Sequence, residues 1–117
     1  MITGAHLVLF SRDPDADRAY LRDVLELPHV HATGLDDPWL VYALPPAEAG
    51  VHPTDDHPSV SLYLTCDDLA ATMASLESRG AVFAGAPEEQ GWGTVTALVL
   101  PSGAELGLYQ PRHATAH

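Results

Sequence analysis

Apolar and polar positions alternate through residues 59–65, with Val60, Leu62 and Leu64 on one face, and this period of two predicts a strand. From Asp67 the period lengthens. Leu69, Met73 and Leu76 recur at i, i+4 and i+7, so they form one stripe of a helix that must be buried against a sheet. Arg79 suits the C-terminal end of that helix, Gly80 stops it, and residues 81–84 begin another extended piece.

The N-terminal half repeats this order. Residues 6–11 read as a strand apolar on both faces and therefore central, with His6, Val8 and Phe10 on one side and Leu7 and Leu9 on the other. Asp13, Asp15 and Asp17 around Pro14 mark a helix entry, because carboxylates accept otherwise unpaired amides and proline fits a first turn. The helix is expected to run through 19–27, packing Tyr20, Val24 and Leu27, until Pro28 ends it. Residues 29–33 form a short strand, 34–38 a turn, and 39–44 a strong strand rich in aromatic and branched residues. Residues 47–51 are a further short strand, and 52–58 is a polar, proline-rich connection.

Downstream of the second helix, 85–93 is expected as an exposed loop, 94–100 as a strand, Pro101-Ser102-Gly103 as a turn and 105–110 as a last strand, with Pro111 ending the organised part before a short polar tail to His117. The Asp13 and Asp67 helix entries, the Leu44-Pro45 and Leu100-Pro101 pairs, and the segments that follow them recur at a nearly constant offset. This points to duplication of one unit of strand, helix and three strands. The first unit spans about 4–53 and the second about 58–111, together one α+β domain.

A chain of 117 residues is long enough for one core. Its 16 acidic side chains against 5 basic ones, none of them lysine, give a net charge of −11. Such a surface repels phosphate backbones, which argues against nucleic acid, and raises the encounter rate of cationic molecules. No apolar run approaches bilayer length and no basic leader precedes one, so no membrane partner is expected and the cytoplasm is the expected location. Cys66, the single cysteine, ends an apolar strand and is expected to be a small buried side chain whose thiol the neighbouring Asp67 and Asp68 push up in pKa.

Cys66-Asp67-Asp68-Leu69 with its helix to Arg79-Gly80, then Gly91-Trp92-Gly93, Leu100-Pro101-Ser102-Gly103 and the run from Glu105 to Pro111, resemble in order and spacing the vicinal oxygen chelate superfamily. This is the glyoxalase, bleomycin-resistance and extradiol-dioxygenase group. The resemblance implies two βαβββ modules whose curled mixed sheets form a cleft, commonly in a homodimer. It also implies that metal-dependent members draw ligands from the first and last strands of each module. On this chain those positions fall at His6, Ser61, Gly50 and Gly107, of which only His6 is a good ligand, so no metal and no cofactor are expected. Glu48 and His52 stand close to Gly50 in sequence and Glu105 close to Gly107; where no bulge intervenes, Glu48 and Glu105 share a strand face with those glycines and could supply a displaced ligand.

His6 is either a cleft-facing ligand, base or donor, or a histidine that satisfies a local hydrogen bond. Trp39 and Trp92, each just before a long strand, are candidate aromatic walls, and Tyr42, Tyr63 and Tyr109 candidate phenolic donors. Ser61 joins them as a ligand-binding position, and His6 or Glu48 would be the proton acceptor of a metal-free reaction. His29 and His31 read as exposed edge-strand residues, and His52 and His57 as loop composition. Gly107 and Gly50 either open cleft volume or mark close strand contact. The expected function is binding of a small organic molecule, cationic or aromatic, in a metal-free cleft. An enzyme of the lyase, isomerase or dioxygenase type, or a non-catalytic protein partner, is the alternative.

Overall fold

The computed structural model describes residues 7, 9, 11–32, 40–48, 50, 51, 53 and 55–114. Within them the chain forms helix α1 (Pro14–Asp23), strands β1 (His29–His31), β2 (Leu40–Tyr42) and β3 (Tyr63–Thr65), helix α2 (Leu69–Ser78), and strands β4 (Val82–Phe83), β5 (Glu88–Gln90), β6 (Gly93–Val99) and β7 (Glu105–Pro111). The architecture is α+β with mixed sheets. The expected first strand at 6–11 falls mostly outside the described residues, including His6, Val8 and Phe10.

Both helices start where the sequence places a carboxylate. Asp13 caps α1 by accepting from the Ala16 amide at 3.3 Å, and Asp68 caps α2 by accepting from the Ala71 amide at 3.0 Å. The strand β7 adds a second acceptor to α2, since the Leu69 amide donates to Gln110 Oε1 at 2.9 Å. Gly80, with φ of +92°, provides the left-handed residue that ends α2. Helix α1 stops at Asp23, earlier than the apolar pattern predicts, and the chain reverses through Glu26 with φ of +55°. Arg79 joins the two helix ends, its Nε donating to the Val24 carbonyl at 2.9 Å.

Strands β1 and β2 form an antiparallel hairpin with His29 opposite Tyr42 and Val30 opposite Val41. The larger sheet has the order β3-β7-β6-β4, with β5 pairing the same edge of β6 as a hairpin. Its centre is the antiparallel pair β6 and β7, while β3 pairs with β7 in parallel through the crossover helix α2. Alternation sorts the sheet into two faces. Leu98, Leu100, Leu106 and Leu108 point to one side and pack with Leu69 and Leu76 of α2, Ala81 and Tyr20 of α1. Leu98 is fully buried, and truncating it to alanine would cost about 2–5 kcal/mol.

The other face carries Val95, Ala97, Gly107, Tyr63 and Tyr109. Three expectations change here. Residues 85–93 are not all loop, because Glu88–Gln90 pairs with β6; the pattern conceals this strand, since all three of its residues are exposed and polar. Residues 47–51 carry no strand at their described positions. Val60 does not share the buried face of Leu62 and Leu64, because β3 begins only at Tyr63 and leaves Val60 93% exposed.

Candidate functional site

Across the open face of the larger sheet, register pairs Tyr63 on β3 with Gly107 on β7, and Gly107 with Ala97 on β6. The row therefore runs from a large side chain, through none, to a methyl group. A Cβ built on Gly107 would overlap Cδ1 of Tyr63 and come within 2.6 Å of Cε1 and 2.8 Å of Cγ. Gly107 thus marks close approach: the Tyr63 ring lies in the space a side chain there would fill. The volume that a glycine at this position could have left open is occupied by a phenol.

Around this row lies a cleft of about 650 Å³, within the range usual for small-molecule sites. Tyr63, Gly107, Ala97 and Val95 form its sheet side, with Leu7 and Leu9 among its apolar walls. Ser61 lines it from the approach to β3, Glu88 from β5 and Glu105 from the start of β7. No arginine or histidine is among its described lining residues. Arg18, Arg22, Arg79 and Arg112 instead pair with Asp15, Asp23, Glu26 and Glu89. The two cleft carboxylates, both on exposed residues, therefore give the cleft rim a negative charge that no basic side chain among the described lining residues offsets.

Beside the cleft, three rings meet edge to face. Tyr63 and Tyr109 have centroids 5.7 Å apart at 89°, Tyr63 and Trp92 6.0 Å at 78°, and Trp92 and Tyr109 5.0 Å at 81°. Such geometry aligns the positive edge of one ring with the negative face of the next. Tyr109 is the buried member, at 8% exposure, whereas Tyr63 is 47% exposed. Burial first, then the negative charge of Glu48 and the Tyr63 phenol, raise the Tyr109 phenol above its ordinary pKa.

The far end of this cluster is polar. The Tyr109 hydroxyl lies 3.1 Å from His113 Nε2, and His113 Nδ1 lies 2.8 Å from the Ala114 carbonyl. Nδ1 is therefore the protonated nitrogen of the neutral ring, leaving Nε2 to accept from the phenol. Glu48 Oε1 stands 4.0 Å from the same Nε2.

The residues singled out in the sequence are thus distributed unevenly. Ser61 and Tyr63 line the cleft, and Trp92 and Tyr109 adjoin it through ring contacts. Glu48 faces His113. The Tyr42 hydroxyl donates to the Arg18 carbonyl at 2.7 Å, tying β2 to α1, and Tyr42 is not among the cleft lining. His6, Trp39 and His52 lie outside the described residues. Sequence reasoning overlooked Glu88, placed in a loop, and His113, placed in a polar tail.

A divalent metal is implied for some members of the resembling group, and the described positions do not fit one. Gly50 and Gly107 offer no donor, the place of a side chain at Gly107 is taken by Tyr63, and Ser61 presents a neutral hydroxyl. Among the described residues no three His, Cys, Asp or Glu side chains gather as a metal site.

Residues 4–106 match the model of the glyoxalase/bleomycin resistance protein/dioxygenase superfamily. Among solved structures, TnmS3, an antibiotic binding protein from Streptomyces sp. CB03234, is 26% identical, with a TM-score of 0.63 over 95% of this chain and 99% of that one. A glyoxalase/bleomycin resistance protein from the same Streptomyces is 28% identical, with a TM-score of 0.56 over 88% and 95%. Lactoylglutathione lyase from Agrobacterium tumefaciens, at 17% identity and a TM-score of 0.61 over 92% of each chain, shares the fold. No curated protein matches the chain. A match that runs through α1, α2 and most of the larger sheet, supported by structures of the same group over nearly their whole length, makes this chain a member of the glyoxalase/bleomycin resistance protein/dioxygenase superfamily.

Proposed function

We propose that this protein binds a small organic cation in the cleft over Gly107, without a metal, and acts by holding the ligand. The observation that carries the reading is the lining itself: two carboxylates, Glu88 and Glu105, an exposed phenol ring and apolar walls, with no basic side chain among the described lining residues. The likeness to an antibiotic binding protein supports a ligand of drug size. Ser61 supplies a hydroxyl, Tyr63 an aromatic surface, and Trp92 and Tyr109 the wall behind it. His6 and Trp39 complete the site in this reading, which also has the protein working as a homodimer in the cytoplasm. The rival enzymatic reading uses His6 or Glu48 as proton acceptor and requires turnover of the bound compound.

The test is equilibrium binding of matched cationic and neutral organic compounds, at low and high salt, to the wild type and to Glu88→Gln and Glu105→Gln. Cations are expected to bind more tightly, each substitution costing about two- to fivefold and salt narrowing the difference. Equal binding of neutral compounds, or binding of none, would overturn the reading. Chemical change of a bound compound would favour the enzyme.

A further inference from the structure

We propose that the Tyr63 ring, laid across Gly107, is a stacking platform that makes the cleft selective for planar aromatic cations. This rests on the cation-binding reading above and names the shape of the ligand.

Side chains on a strand ordinarily stand away from the sheet. Tyr63 departs from that because its neighbour across the parallel pairing has no side chain and the next residue in the row, Ala97, has only a methyl. The ring occupies the gap at Gly107, as the overlap with a Cβ there shows. Its orientation is fixed by edge-to-face contacts with Tyr109 and Trp92 at 89° and 78°. An aromatic ring over a strand glycine also supports a sheet, so packing alone could account for part of this arrangement. Packing does not use the whole ring, however. Tyr109, in the same cluster, is sealed at 8% exposure, whereas Tyr63 keeps 47% of its surface open and lines the cleft. A ring held in place before the ligand arrives loses little freedom on binding. Its π face attracts a delocalised cation, and the carboxylates of Glu88 and Glu105 add the charge.

The experiment compares two monocations of similar bulk, planar 9-aminoacridine and globular 1-adamantanamine, on the wild type, Tyr63→Leu, Tyr63→Phe and Gly107→Ala. Wild type should bind the acridine about tenfold more tightly. Tyr63→Phe should keep this preference. Tyr63→Leu should abolish it, the acridine losing more affinity than adamantanamine, and Gly107→Ala, which lifts the ring off the sheet, should reduce it. Upfield shifts of the acridine proton resonances, present in wild type and lost in Tyr63→Leu, report stacking independently of stability. Equal binding of the two amines by wild type, or a preference that survives in Tyr63→Leu, overturns the platform and leaves cation binding standing. Binding of neither amine overturns both.

Discussion

Asp17 holds Ser102 at two points: one carboxylate oxygen accepts from the Ser102 amide at 3.1 Å and the other from the Ser102 hydroxyl at 2.6 Å. Asp17 lies in the first half of α1 and Ser102 in the turn between β6 and β7, so this pair fixes the helix to the end of the central hairpin. Asp17 is buried, at 5% exposure. Removing it would leave a part-buried amide and hydroxyl without their acceptor. Asp17→Ala is expected to lose about 3 kcal/mol in urea unfolding, and Ser102→Ala, which keeps the amide bond, about 1–2 kcal/mol. A loss in Asp17→Ala no larger than that of an exposed helix aspartate such as Asp15→Ala would refute the tie.

The Tyr42 hydroxyl anchors the small hairpin to α1 through the Arg18 carbonyl. Tyr42→Phe keeps the ring and removes this bond, so about 1 kcal/mol of stability should go while cleft affinity stays within experimental error. A change in ligand affinity without a change in stability would return Tyr42 to the binding site.

Tyr20 lies in the core with a buried hydroxyl that has no hydrogen-bond partner among the described residues, and burial raises its pKa. Tyr20→Phe is expected to gain about 1 kcal/mol at pH 8. The sign of the alkaline effect follows from the same shift. A raised folded-state pKa means that the native protein keeps its proton where the unfolded chain loses it, so stability is intact below the ordinary phenol pKa of about 10 and falls above it. Unfolding at pH 8 and pH 11 should show a smaller drop in Tyr20→Phe than in wild type. The drop persists in part, because Tyr42 and Tyr109 are shifted the same way.

Cys66 is half-buried behind β7, with Sγ 3.6 Å from the Tyr109 carbonyl. Burial raises its pKa most, Asp67 and Asp68 add to the rise, and a hydrogen bond with Thr72 opposes it. The thiol should therefore react with a disulfide reagent at pH 8 about tenfold more slowly than in the urea-unfolded chain. Equal rates in the two states would refute the assignment.

Much of this architecture is legible in one sequence. The Leu69, Met73 and Leu76 stripe, the entries at Asp13 and Asp67 (the second one residue before the observed cap Asp68) and the Gly80 stop give both helices, because caps and periodicity are local signals. Glu88–Gln90 escapes, since a strand that is polar on both faces carries no alternation. The site is read less well than the fold for a related reason. Tyr63 and Gly107 each look ambiguous alone, and what makes them a unit is a parallel register set by a crossover, a relation that no local pattern encodes. His113 illustrates the same limit: its composition marks a tail, while its partners come from β7 and from the segment near Glu48.

The place of β7 between β3 and β6 bears on how the molecule assembles. The last strand of the larger sheet to leave the ribosome fills its middle, so β3 must wait, with its bonding edge unsatisfied, until the whole crossover and the β5–β6 hairpin have been made. Loss of β7 would not shorten this sheet by one strand but divide it, leaving β3 on one side and the hairpin on the other. Completion of this sheet therefore depends on β7, and a ribosome stalled before Glu105 would carry an exposed strand edge of the kind that recruits chaperones.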